Sequence, residues 1–280
     1  MIKFSLNCHG KLLDLSTPIV MAIINLTPDS FYDGGSNSDE KSLLINAEKA
    51  LVAGAKILDI GGQSTRPGAE TISSSEEWER VNKAINSLRK EFPNALLSID
   101  TFYSTVAEKA VDLGVGIVND ISGGSIDRTM FETIGRLKVP YILMHMKGTP
   151  TTMQKEAEYV NVVREIWNFF DEKIAELKSY GIDQLILDPG FGFGKKTVHN
   201  FSLLKNLNAF SHFNSPILVG LSRKAMITTS LKIKSDEALN GTSVLNTLAI
   251  LNGASILRVH DVLEAQQVIT LVEEYKISRL

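Results

Sequence analysis

Eight times along this chain a short apolar run ends in a polar residue, opens into a loop rich in Gly, Pro or Ser, and gives way to a segment with helical periodicity. Strict alternation of this kind demands a parallel sheet, because parallel neighbours need a long crossover and a helix supplies it. The runs at 19–25, 57–60, 96–100, 116–120, 141–145, 185–188, 217–221 and 255–259 are largely apolar rather than alternating, as strands covered on both faces are. A count of eight selects a single (β/α)8 TIM barrel, with 1–280 as one domain; a doubly wound open sheet is the alternative. Helices are expected near 38–53, 74–91, 103–113, 128–137, 159–180, 201–207, 235–252 and 265–275, the second opening on a capping-type Ser and Glu. Residues 1–17 alternate loosely around a turn at 7–11, which predicts a short N-terminal hairpin ahead of the barrel.

Composition narrows the partners. A net charge of −3 gives no general attraction to nucleic acid or to an anionic membrane, so any bound anion must be held by a local cluster. The lone cysteine, Cys8, excludes an intrachain disulfide and a Cys-based zinc site, which fits a reducing cytoplasm. The opening MIKFSLNCHGKLLDL lacks the apolar centre of a signal peptide, and no apolar run reaches the length of a membrane span.

In a barrel the active site lies at the C-terminal ends of the strands. Asn25, Asp59, Asp100, Asn119, His145, Asp188, Ser222, Lys224, Arg258 and His260, drawn from more than 200 residues of sequence, are therefore expected at one rim. Taken singly, each is equally explained by turn chemistry. Together they are not, because unpaired charges beside buried apolar runs are costly and must meet each other or a ligand. Ser222, Arg223, Lys224, Arg258 and His260 follow the last two strands, where barrels often hold phosphate, and Arg66 is placed to close that anion site. Asp100 and Asp188 with Asn119 suit a planar, nitrogen-rich heterocycle, since carboxylates accept from adjacent N–H groups and an amide both gives and accepts. Asn25 and nearby Asp residues offer oxygen only, the chemistry of magnesium rather than zinc. In LILDPGFGFGK, at 185–195, alternate glycines let backbone approach a neighbour while Phe191 and Phe193 supply apolar walls; Pro189 and Lys196 rule out a phosphate-binding Walker loop.

NLTPDSFYDGG, DIGGQSTRPG, SIDT, VNDISGG, LMHMKGTPTTMQ, LDPGFGFGK, VGLSRK and LRVHD resemble, in order, the successive motifs of the dihydropteroate synthase family of pterin-binding enzymes, from about Ile19 to the end. The resemblance implies condensation of 6-hydroxymethyl-7,8-dihydropterin diphosphate with p-aminobenzoate to dihydropteroate and diphosphate, with Mg²⁺ as cofactor, a homodimeric state and sulfonamides as inhibitors. By motif, Asp100, Asn119, Asp188, Phe193 and Lys224 would hold the pterin. Arg66, Arg258, His260 and Asn25 would hold the diphosphate, with Asn25 on the metal. Thr65, Arg66, Pro67, Ser222 and Lys224 would shape the p-aminobenzoate site. Lys224, Asp100, Arg66 and Asp33 are the expected catalytic residues, and the loops carrying Phe31, Asp33 and Arg66 are expected to close over the substrates. Gln63 departs from the family, where many members carry Glu. Rival readings are a methyltransferase on the same barrel, a silent pterin-binding protein, and a Schiff-base aldolase barrel; the last wants a lysine within a strand, and only the early Lys56 comes near one.

Overall fold

The computed structural model describes residues 4–26, 37–64 and 70–278. The hairpin is real: β1 (Ser5–Cys8) pairs antiparallel with β2 (Lys11–Asp14). The strands and helices that follow are β3 (Ile19–Asn25), α1 (Asn37–Val52), β4 (Ile57–Gly61), α2 (Ser74–Glu91), β5 (Leu96–Asp100) and α3 (Ser104–Asp112). Next come β6 (Ile117–Asp120), α4 (Met130–Leu137), β7 (Tyr141–Met144), α5 (Val162–Ser179), β8 (Leu185–Asp188) and α6 (Thr197–Lys205). The chain finishes with a 3-10 segment (Leu207–Phe213), β9 (Leu218–Val219), α7 (Ala225–Leu231), α8 (Leu239–Leu251), β10 (Ile256–Val259) and α9 (Val262–Ile277).

The parallel sheet runs β8-β7-β6-β5-β4-β3-β10-β9. One parallel bridge, Leu187 to Ile217, joins its two edges, supported by the Leu187 N–H donating to the Pro216 carbonyl at 2.9 Å. The open-sheet alternative therefore falls, and the expected barrel stands.

Side-chain alternation gives this barrel two interiors. Outward residues such as Val20, Leu58, Leu97, Val118, Leu143, Leu187, Val219 and Leu257 pack under the helices in one large apolar cluster. Inward residues Met21, Ile57, Ile117, Ile142, Ile186, Leu218 and Ile256 form a separate layer near the N-terminal end, and Leu6, Cys8 and Leu13 of the hairpin close it from below. The hairpin is tied there by Asn7 N–H to Gln184 Oε1 at 2.6 Å and Lys11 Nζ to the Pro93 carbonyl at 2.9 Å. Most of the apolar inward side chains are thus spent at the bottom, and the upper half is left mainly to polar groups, with Ile23 and Met144 as apolar exceptions.

The differences from expectation are local. Strand β9 keeps only two of the five residues expected, since Gly220 brings no side chain and the Lys224 N–H already turns back to the Leu221 carbonyl. Residues 225–231 form a helix that the periodicity did not separate from its surroundings, and α8 starts at Leu239 rather than 235. Helix α5 begins at Val162, not 159, because Asn161 caps it by accepting from the Arg164 N–H at 3.0 Å. The cap expected on α2 is present as a full box between Ser73 and Glu76. No helix among the described residues is long and apolar enough to cross a membrane.

Candidate active site

The same alternation decides which polar residues enter the barrel. Asn25, Asp59, Asp100, Asn119, Asp188 and Arg258 lie on the inward parity of their strands, two or four residues above the apolar bottom layer, and Asp100 stands beside Asn119 in register. Asp120 lies one residue on and turns outward, where its carboxylate accepts from the Tyr141 hydroxyl at 2.7 Å and from the Ser122 and Gly124 N–H groups. His145 corrects the expectation. It follows inward Met144 by one residue, so its ring lies behind the barrel wall, edge-on to Phe169 at 4.9 Å between centroids. Burial and then Lys195 hold its imidazole well below the ordinary value, hence neutral.

At the centre stands Arg258. Its Nε donates to Asp59 Oδ2 at 2.6 Å and its Nη2 to Asp100 Oδ2 at 2.6 Å. Asn119 Nδ2 also donates to Asp59 Oδ2, at 3.1 Å. Burial opposes charge on the guanidinium, yet Asp59 and Asp100 outweigh it and raise the Arg258 value. The Asp100 carboxyl is pushed up by burial and pulled back by Arg258. Asp188 is likewise raised by burial, an effect partly offset by the Gly190 N–H that donates to its Oδ1 at 2.7 Å. Asp59, fully buried, keeps Oδ1 without a hydrogen-bond partner among the described residues, so the upper barrel is a polar cluster not wholly satisfied by itself.

Lys224 lies along the Gly-rich loop. Gly192 has φ +82, and a Cβ there would come within 3.1 Å of Lys224 Cδ; its absence gives the lysine stem its path. The ammonium then sits 4.3 Å from the centroid of Phe193, a cation–π contact. Burial and the nearby Arg258 pull Lys224 down to about 8. The two phenylalanines of this loop part company. Phe191 joins the outer core, whereas Phe193 belongs to an apolar shelf with Phe102, Ile121, Met144 and Met153, so only one is a wall of the mouth.

Ser222 Oγ and His260 Nδ1 are 3.0 Å apart, and the His260 N–H donates back to Ser222 Oγ at 3.3 Å. Lost hydration and then Arg258 bring His260 to about 4, so it is a neutral hydrogen-bonding group at neutral pH. Arg223 does not join the expected anion site. Its guanidinium grips Asp261 through two bonds of 3.0 and 2.7 Å, and its backbone, at φ +55, is held by Thr242 Oγ1. Thr65, Arg66, Pro67, Phe31 and Asp33 lie outside the described residues. Gln63 can be placed: its Oε1 accepts from the Ile72 N–H at 2.8 Å, joining the two ends of the second loop.

Two further groups carry weight that the motifs did not reveal. Glu77 of α2 is fully buried behind the mouth; Thr101 donates to its Oε2 at 2.9 Å, Oε1 has no partner among the described residues, and burial raises its carboxyl to about 8. Lys195, the last residue of the Gly-rich run at 185–195, is buried and bonded on every side. As for a metal, no group of three or more His, Cys, Asp or Glu among the described residues is placed to cage one. Asn25 Oδ1 and Asp100 Oδ2 each lie 3.7 Å from where a Cβ on Gly61 would stand, so the missing side chain leaves oxygens flanking one space. A hard ion that takes most of its ligands from water and phosphate fits that donor set.

Against known proteins, the chain matches the family model described as pterin binding enzyme over residues 21–260. It is 42% identical over 267 residues to the dihydropteroate synthase of Escherichia coli K12, covering 95% of this chain and 94% of the relative. Among solved structures it is similar to Xanthomonas albilineans dihydropteroate synthase with 4-aminobenzoic acid, at 36% identity and a TM-score of 0.92 over 99% of this chain and 100% of that one. The same enzyme in complex with 7,8-dihydropteroate aligns at 34% identity and a TM-score of 0.88, again over 99% and 100%.

Proposed function

Because the chain belongs to the family of pterin-binding enzymes, we propose that it is the catalyst of dihydropteroate formation, condensing 6-hydroxymethyl-7,8-dihydropterin diphosphate with p-aminobenzoate. The observation that carries this reading is the inward cluster of Asp59, Asp100, Asn119 and Arg258, with Lys224 beside it on Phe193. It is a deep polar floor with one apolar wall, which is what a flat, nitrogen-rich ring requires.

The pterin is held by Asp100, Asn119 and Asp188, with Phe193 and Lys224 on its side. Arg258 is braced by two carboxylates through Nε and Nη2, and its other N–H groups remain for the diphosphate together with His260. In the reaction the bond between the pterin methylene carbon and the diphosphate oxygen breaks, and the electron pair leaves with diphosphate. The methylene cation is delocalised into the electron-rich ring, with Asp100 and Asp188 as nearby negative charge. The arylamine nitrogen then gives its lone pair to form the C–N bond and sheds a proton. No covalent enzyme intermediate is needed. Held by Asn25, Mg²⁺ would supply charge neutralisation at the departing diphosphate. Lys224 and Ser222 shape the p-aminobenzoate end, and Thr65, Arg66, Pro67 and Asp33 are proposed to complete the site. We further propose one functional domain across 1–280, a homodimer, and a cytoplasmic location.

A coupled assay of diphosphate release with Mg²⁺, run with and without p-aminobenzoate, tests the function. Release that depends on the amine and yields dihydropteroate is expected; pterin binding with no release under either condition would make the chain a binding protein or another transferase.

A further inference from the structure

Lys195 points away from the mouth, yet it is 4% exposed and its Nζ has four partners. Gly190 O lies at 2.8 Å, Phe193 O at 3.0 Å, His145 O at 3.2 Å and His145 Nδ1 at 3.1 Å. Two of these partners belong to the loop after β8 and two to the start of the segment after β7. The backbones of those loops also touch: Gly190 has φ +71, and a Cβ on it would stand 1.9 Å from the His145 carbonyl oxygen. One buried ammonium therefore joins the segments where bare backbone is packed on bare backbone. Asn200, also buried, adds a second strut, accepting from the Gly192 N–H at 2.8 Å and donating to the Lys195 carbonyl at 3.2 Å. The ring that this loop delivers to the mouth is Phe193, on which the Lys224 ammonium rests.

We infer that Lys195 is a positioning residue for the reaction: by binding the Gly190 and Phe193 carbonyls it fixes the Phe193 ring, and through that ring the place of Lys224. An uncharged packing role would ask only for a stem of the same length. The three carbonyls ask for a donor, because a buried carbonyl left without its donor costs more than the bond itself returns. The inference rests on the function proposed above in using the Lys224 site as its readout, but the clamp can be read without it.

The test is Lys195→Met, which keeps the stem and removes the donors, studied with Lys195→Gln, which keeps two N–H donors. In wild type, amide hydrogen exchange at Gly190, Gly192 and Phe193 should be slow; in Lys195→Met it should speed up at least about tenfold, with Ile99 of β5 unchanged. In the coupled assay, well below its melting temperature, Lys195→Met should lose about 10² in kcat/KM, the usual cost of misplacing a site by an ångström, and Lys195→Gln less. In a Phe193→Ala background the same substitution should cost under about threefold, since the ring through which it acts is gone. Equal losses in both backgrounds, no loss at all, unchanged exchange, or failure of both variants to fold would overturn the inference in favour of a purely structural lysine. If wild type itself makes no dihydropteroate, the functional reading fails, and the exchange rates alone decide on the clamp.

Discussion

The two ends of this barrel are built from the same strands and obey opposite chemistry. At the N-terminal end the inward side chains are Met21, Ile57, Ile117, Ile142, Ile186, Leu218 and Ile256, sealed by Leu6, Cys8 and Leu13. Two residues further along, the same inward parity presents Asp59, Asn119, Asp188 and Arg258. A strand cannot change the direction of its side chains without a bulge, so the change of function from support to chemistry is made purely by residue type within one layer. The lower layer gains from burying hydrocarbon, whereas the upper one must compensate every charge it removes from water.

That contrast can be broken from either side. The largest effect is expected for Arg258→Ala, which strands Asp59 and Asp100 without their cation; unfolding in urea should show a loss of about 3–5 kcal/mol, together with loss of activity. An unchanged urea midpoint would mean that the upper layer is not held by this cation. Lys224→Ala should do the reverse, cutting turnover by at least about 10² in the coupled assay while the melting temperature stays near that of wild type. Leu13→Ala, at the hairpin plug, should cost about 2 kcal/mol of stability and leave kcat untouched; a change in kcat would show that the two ends are coupled. The last effect depends on pH and concerns Glu77. Its folded value of about 8 lies above the ordinary 4.5, so the native state holds the proton, and the associated stability is complete at low pH and lost as pH rises toward 8. Glu77→Gln removes that loss, so the variant should gain on wild type by up to about 1.4 kcal/mol per pH unit between about pH 5 and 8. Parallel stability curves would remove Glu77 from the account.

Much of this architecture is legible in the sequence, and the parts that are not share a cause. Eight apolar runs with eight helical patterns lead to the barrel, and the motifs lead to Asp100, Asn119, Asp188 and Lys224. Ending a strand suggests the mouth for His145, although counting by twos from Ile142 already puts it outside. Sequence groups Arg223 with Lys224 as a neighbour, and only three dimensions show that Asp261, 38 residues on, takes its Nε and Nη2 donors. Lys195 gives no signal because three of its four partners are carbonyls, which every residue carries. Helix α7 is not legible because Ala225–Leu231 is short and follows a turn whose residues read as loop.

The order of synthesis sets a schedule for the plug. The hairpin precedes every barrel strand in the chain, but the layer it covers includes Ile256, and β3 pairs with β10 across more than 200 residues. During translation its apolar face therefore has no complete partner until the last strand is made. The seam from Leu187 to Ile217, a single bridge, also closes only after β9 is made. A chain released before β10 is made would expose the plug's apolar face and one unpaired edge of β3 as sticky surface, so the hairpin and first barrel strand must be kept from other partners until the last strand arrives.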